Sequence, residues 1–151
     1  MSQPALAFDF RRLTSVLYAV VSAAPGERDW RAIKDHYHAD ARLVRTGVDP
    51  GGVPFAKVMS FDEYVENVET LLRDVRFSEV EIAHEAVLFG NVARLTSVYE
   101  FTWESPGEVR RGRGVNFFTL IHQDARWQIM SIVWDNERPG LSLAASGLAS
   151  S

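Results

Sequence analysis

One hundred and fifty-one residues are enough for one domain with a sizeable core. A formal charge of −4 argues against a general nucleic-acid or anionic-membrane surface. The absence of cysteine excludes disulfides, thiolate metal sites and cysteine catalysis, and no run is apolar for long enough to cross a bilayer.

Taken in chain order, Arg11–Arg12 followed by LTSVLYAVV and SAA mimics a secretory signal. Asp9 just upstream, and Thr14, Ser15 and Tyr18 within the apolar run, fit an amphipathic helix instead, and a cytoplasmic location is expected. That helix should run from about Ala7 to Ala24, with Phe10, Leu13, Leu17, Val20 and Val21 on one face and Tyr18 on its flank. Pro25–Gly26 ends it. Asp29 can cap a short second helix presenting Trp30, Ile33 and Tyr37 and ending near His38. A short strand follows over Ala41–Arg45, then a loop over Thr46–Val58 centred on Asp49-Pro50-Gly51-Gly52. Ser60-x-x-Glu63 is a capping box that opens helix three, whose buried stripe is Phe61, Tyr64, Val65, Val68, Leu71 and Leu72.

From Phe77 the texture is that of strands. Phe77–Phe89 and Val92–Trp103 flank a Gly90–Asn91 turn. Ser105-Pro106-Gly107-Glu108 then turns into a terminal pair joined at Asp124–Ala125. The basic run Arg110, Arg111 and Arg113 reads as a solvated strand entry rather than a phosphate site, since Gly112 interrupts it and Glu108 precedes it. The terminal pair is apolar on both parities: Phe117 and Ile121 against Phe118 and Leu120, Trp127 and Ile129 against Met130, Ile132 and Trp134. Both faces want cover. We therefore expect helices and a pocket on one face and a second subunit on the other. Helices first and an antiparallel meander after make an α+β arrangement. Residues 1–138 form the single domain, and GLSLAASGLASS after Pro139 reads as a flexible tail, 139–151.

The order of these elements resembles the nuclear transport factor 2-like superfamily, which includes SnoaL-like polyketide cyclases and ketosteroid isomerases. Tyr37-His38-Ala39-Asp40-Ala41, the capped helix three after a glycine-containing loop, Asp124-Ala125-Arg126-Trp127-x-Ile129 and the aromatic Trp134 carry the resemblance, which spans about Phe8 to Glu137. It implies a cone-shaped half-barrel of the cystatin-like kind: three N-terminal helices on a curved, mostly antiparallel sheet, a deep apolar pocket, and a homodimer through the sheet's outer face. Function does not follow from such a fold, which serves enzymes and binding modules alike.

Three catalytic patterns of that superfamily can be tested on this sequence. The isomerases' carboxylate base falls on Arg45, which cannot take a proton, and their oxyanion-hole acid falls near Phe117, so ketosteroid isomerase activity is disfavoured. Tyr18 stands roughly where a donor tyrosine is found. The Asp-Arg-Asp set of epoxide hydrolases finds only Arg113, with Arg111 and Val115 where carboxylates are needed. Dehydratases and cyclases use His and Asp for acid–base work; His36, His38, His84, His122, Asp40 and Asp135 are the candidates. His84 lies mid-strand opposite no obvious acid. No spacing presents convergent metal ligands, and no cofactor is expected.

By the superfamily's parity Met130, Ile132 and Trp134 face the cone, opposed by Phe117, Val115 and Arg113, with Arg45 and Arg113 as a cationic rim. The expected ligand is a small hydrophobic or aromatic molecule. Asp135 or His38 would act as acid or base, Tyr18 as hydrogen-bond donor and Arg113 as anion stabiliser in a cofactor-independent isomerase, cyclase or dehydratase. The alternative is a non-catalytic dimeric ligand-binding or accessory domain. The Thr46–Val58 loop, with Gly47, Gly51 and Gly52, reads equally as a lid or as a long connection.

Overall fold

The first helix starts on a carboxylate. In the computed structural model, which describes residues 8–148, the Asp9 side chain accepts from the backbone N–H of Arg12 at 3.0 Å and α1 runs over Phe10–Val21. Ala7, the expected start, lies outside the described residues. The buried stripe of α1 is Phe10, Leu13, Thr14, Leu17, Tyr18 and Val21. Tyr18 is thus inside the stripe rather than on its flank, and Val20 is only half-buried.

The second helix, α2, is one turn, Arg31–Lys34, with no side-chain cap from Asp29 or Trp30. Tyr37 is not helical. It opens β1, Tyr37–Val48, because the backbone there pairs with a distant strand: the N–H of Ile129 donates to the His36 carbonyl at 2.8 Å, and Tyr37 stands beside Ile129. The expected loop is a β-hairpin. β1 continues through Thr46–Val48, the Asp49 carboxylate accepts from the Val53 N–H at 2.9 Å, and β2, Pro54–Met59, returns alongside. β2 is an edge strand exposed at every position but Met59, so it lacks the apolar alternation that would have revealed it. Its proline takes the first position, where no ladder donor is needed.

Helix α3, Phe61–Leu71, carries the reciprocal capping box, Ser60 with Glu63. Phe61, Val68 and Leu72 are buried while Leu71 is exposed. Four strands then form a meander: β3 Arg76–Phe89, β4 Val92–Ser105, β5 Glu108–Gln123 and β6 Arg126–Asn136. Asp124 and Ala125 both have positive φ, 53° and 62°, the signature of a type I′ hairpin turn. The sheet order is β2-β1-β6-β5-β4-β3, with β1 parallel to β6 and every other pair antiparallel. The sheet is curved and does not close, and the three helices sit against it, an α+β half-barrel. Among the described residues, no helix is long and apolar enough to cross a membrane.

Two bulges set which side chains enter the cone. Glu81 pairs with Tyr99 and Ala83 with Val98, leaving Ile82 unpaired. Thr119 pairs with Ser131 and Leu120 with Ile129, leaving Met130 unpaired. Each extra residue inverts the inward parity beyond it. Ile129 and Ile132 are both buried for this reason, and on β5 Phe118 and Leu120 are buried while Phe117 is exposed.

The tail packs as far as it is described. Leu143, in the single turn α4 (Leu143–Ser146), is buried against Val98 and Val115 on the outer face, and its N–H donates to Glu137 at 2.8 Å. Residues 149–151 of the expected flexible tail lie outside the described residues.

Ala125 holds a left-handed conformation that an L-residue with a Cβ adopts at a cost of about 1–2 kcal/mol. Ala125→Gly should therefore raise stability by about 1 kcal/mol in urea denaturation. An unchanged or lower midpoint would count against the turn geometry.

Candidate functional site

Ser22 ends α1 and clamps β3. Its hydroxyl accepts from the Glu79 N–H at 2.8 Å and donates to the Glu79 carbonyl at 3.3 Å. This fixes a stretch of β3 whose pattern runs against expectation. Val80 and Ile82 are exposed on the outside, while Glu79 and Glu81 are more sheltered. Inward carboxyls on a strand with outward valine and isoleucine reverse the usual burial preference.

Glu79 lines a cavity of about 360 Å³ between the helices and the concave sheet. Tyr18, Tyr64, Tyr99, Phe118, Ile132 and Trp134 form much of its wall, and exposed Leu71 and Arg110 mark its mouth. The Glu79 side chain has no hydrogen bond or ion pair among the described residues, and burial pushes its carboxyl up to about 8.

The polar groups beside it are mutually satisfied. The Ser97 hydroxyl donates to Glu81 Oε2, so its oxygen accepts the Tyr18 proton at 2.7 Å, and Asn116 Nδ2 donates to the Tyr18 oxygen at 2.9 Å. The Tyr99 hydroxyl donates to Asn136 Oδ1. Burial holds Tyr18 and Tyr99 well above the ordinary phenol range, although the hydrogen bonds with Ser97 and Asn116 oppose this at Tyr18. Each phenol's single proton is directed to a protein acceptor, so neither is a free donor to the cavity. Gly112 and Gly114 make room for this wall: a Cβ at Gly112 would meet the Phe101 ring at 2.6 Å, and one at Gly114 would meet the Tyr99 hydroxyl and the Asn136 amide.

The residues singled out from sequence are divided by the sheet. Tyr18, Arg45 and Trp134 line the cavity. Phe117, Arg113 and Asp135 do not: the Met130 bulge moves β5's inward set to Asn116 and Phe118, and Arg110 takes the rim position expected of Arg113. Arg110 lies over the Trp103 ring at 4.4 Å. Arg113 instead makes a two-pronged pair with Glu137, at 2.9 and 3.0 Å. Met130 is the bulged residue itself and is not part of the cavity wall. Burial alone would raise the Asp135 carboxyl, but bonds from Arg138 at 2.7 Å and the Asn136 N–H at 2.8 Å outweigh it and hold the group below the usual carboxylate range. His38 lies at the start of β1, where its Nδ1 accepts from the Asp40 N–H at 2.9 Å, away from the cavity. His84 does have an acid partner: the Ile82 bulge brings Glu81 Oε2 to 3.0 Å from its Nδ1. Among the described residues no cluster of His, Cys, Asp and Glu could hold a metal ion.

Sequence reasoning missed Glu79, Asn116, Phe118 and Arg110. The available signal was Phe77-x-Glu79-x-Glu81, two acids in phase with a buried aromatic.

No protein-family model matches this sequence, and no curated protein does. Solved structures do match in fold. The β subunit of benzoate 1,2-dioxygenase from Burkholderia mallei superposes with a TM-score of 0.67 at 16% identity over 94% of this chain and 97% of that one. A nuclear transport factor 2-like superfamily protein from Salmonella enterica gives 0.65 at 12% identity over 85% and 89%. A candidate scytalone dehydratase from Novosphingobium aromaticivorans gives 0.63 at 14% over 85% and 82%. The chain thus has the nuclear transport factor 2-like, cystatin-like fold. At these identities the likeness is one of fold.

The raised Glu79 carboxyl has a thermodynamic sign. The folded state retains a proton that the unfolded chain releases near 4.5, so this stabilisation is fully present below about 4.5 and is lost as pH rises through about 8. Glu79→Gln should remove that slope. Its melting temperature should gain on the wild type between pH 5 and 8 and then hold a constant offset. Parallel curves across this window would show that Glu79 is not held neutral.

Proposed function

We propose that this protein is a cofactor-independent acid–base enzyme acting on a small hydrophobic or aromatic molecule, with Glu79 as the proton donor and acceptor. The observation that carries this reading is one unpartnered carboxyl, poised near neutral pH, on the wall of a cavity built largely from aromatic and aliphatic side chains. A pKa near the working pH is the one at which an acid–base group serves best, and a convergent polar group in the largest apolar pocket marks a candidate site. Protonated Glu79 can give its proton to a carbonyl or leaving hydroxyl; ionised, it can take one from an adjacent carbon. The Asn116 amide, held by Tyr18, offers a second N–H to an oxygen on the ligand. Isomerisation, dehydration and cyclisation are the reactions that need only these parts.

We also propose a homodimer through the outer face of the sheet. Phe117 and Val133 stand opposite each other on the outer face and are 44% and 36% exposed, beside the area that Leu143 covers. Phe117→Asp should shift sedimentation from dimer to monomer without loss of fold; a wild type that sediments as a monomer would refute the dimer.

Carbon-13 NMR of the glutamate carboxyls tests the central point. One resonance should titrate near 8, vanish in Glu79→Gln and move when an apolar probe such as naphthalene binds. Trp134→Ala should weaken that binding about tenfold. A Glu79 that titrates in the ordinary carboxyl range would sink the acid–base reading, leaving a binding module.

A further inference from the structure

Arg45 is the group the acid–base reading leaves unused. Its guanidinium is charged at any working pH, and it lines the same cavity as Glu79. The other arginine lining the cavity, Arg110, is paired among the described residues: it lies 3.3 Å from Glu108. Arg45 has no ion pair or hydrogen bond among the described residues. It rests only against the Phe55 ring, 5.5 Å from its centroid, and its Nε is buried without a partner. A guanidinium half-withdrawn from water with no counter-charge is unfavourable. A bound anion would supply that charge, and its oxygens would fit the planar fork of N–H donors.

We propose that the cavity takes an organic acid, an aromatic or alicyclic skeleton bearing one anionic group, seated with the anion on Arg45 and the skeleton reaching across the cone toward Glu79. This rests on the reading of the cavity as a ligand site. Strand order supports the span. Arg45 lies on β1 and Glu79 on β3, four strand steps apart through β6, β5 and β4. At about 4.8 Å per step the arc is roughly 19 Å, and the direct path across the cone is shorter. Trp134, beside Arg45 in the sheet, and the Ile132–Phe118 pair next to it give the skeleton an apolar wall. The far end is compatible with an acid because Glu79 keeps its proton at neutral pH and does not repel the ligand's charge.

Titration calorimetry at pH 7 with 2-naphthoate and its neutral analogue 2-naphthalenemethanol tests the inference. The wild type should bind the acid roughly tenfold more tightly than the alcohol. Arg45→Met should abolish that preference and leave the alcohol's affinity unchanged, while Glu79→Gln should preserve it. Equal affinity for the two probes in the wild type, or a preference that persists in Arg45→Met, would overturn the inference and leave the apolar site intact. No saturable binding of either probe would overturn the site itself and the inference with it. The wild-type comparison decides the matter even if Arg45→Met does not fold.

Discussion

A single sheet that must bend around α1 has to break its own regularity, and everything inside the cone depends on where it does so. The antiparallel ladders break at Ile82 on β3 and Met130 on β6, each an unpaired residue, and the parallel β1–β6 ladder shifts register between Tyr37 and Arg42. A bulge bends its strand and increases its twist. It also reverses which alternate side chains face inward. The first bulge puts His84 on the same face as Glu81 and Ser97, and the second puts Asn116 and Phe118, rather than Phe117, against Ile132 and Trp134. The polar chain from His84 through Glu81 and Ser97 to Tyr18 and Asn116 is a product of those two irregularities.

Within that frame, satisfaction and its absence separate structure from chemistry. Tyr18 and Tyr99 are buried and their protons are taken by protein acceptors. Glu81 is shared by a serine and a histidine. These groups rigidify the wall, as a fully connected buried network does. Of the carboxyl and guanidinium groups on the cavity wall, Glu79 and Arg45 are the ones with no hydrogen bond or ion pair among the described residues. Each is drawn partly out of water with no partner, and each costs folding free energy. Residues kept under such conditions are the ones a protein tolerates for binding or catalysis. That two unpartnered groups of opposite kind line one cavity, four strands apart in the sheet order, gives the site a direction.

The outer face is organised around a different pair. Arg113 and Glu137 join β5 to the segment after β6, and Glu137 also accepts from the Leu143 N–H, so the same carboxylate docks the tail. Leu143 then covers Val98 and Val115, leaving Phe117 and Val133 bare. The apolar character of both faces of the β5–β6 hairpin thus has two explanations: core on one side, and on the other a surface only part of which the chain covers by itself.

What the amino-acid order determined alone was whatever depends on near neighbours. Ser60 marks a helix start because a cap reaches only three residues, and Gly90–Asn91 and Asp124–Ala125 mark hairpins because a turn is closed locally. The α+β class and the likeness in fold follow from the succession of such signals. The tertiary structure decided what depends on distant pairing. His36 and Tyr37 leave the helix because β6 offers them a parallel partner some ninety residues away. The edge strand β2 exists because β1 pairs with it, not because its own pattern is amphipathic. Arg110 rather than Arg113 and Phe118 rather than Phe117 share the cavity face with Trp134 because the pairing of β6 with β5 is reset at a bulge. A bulge is a property of two strands in register, and neither strand's sequence carries it alone.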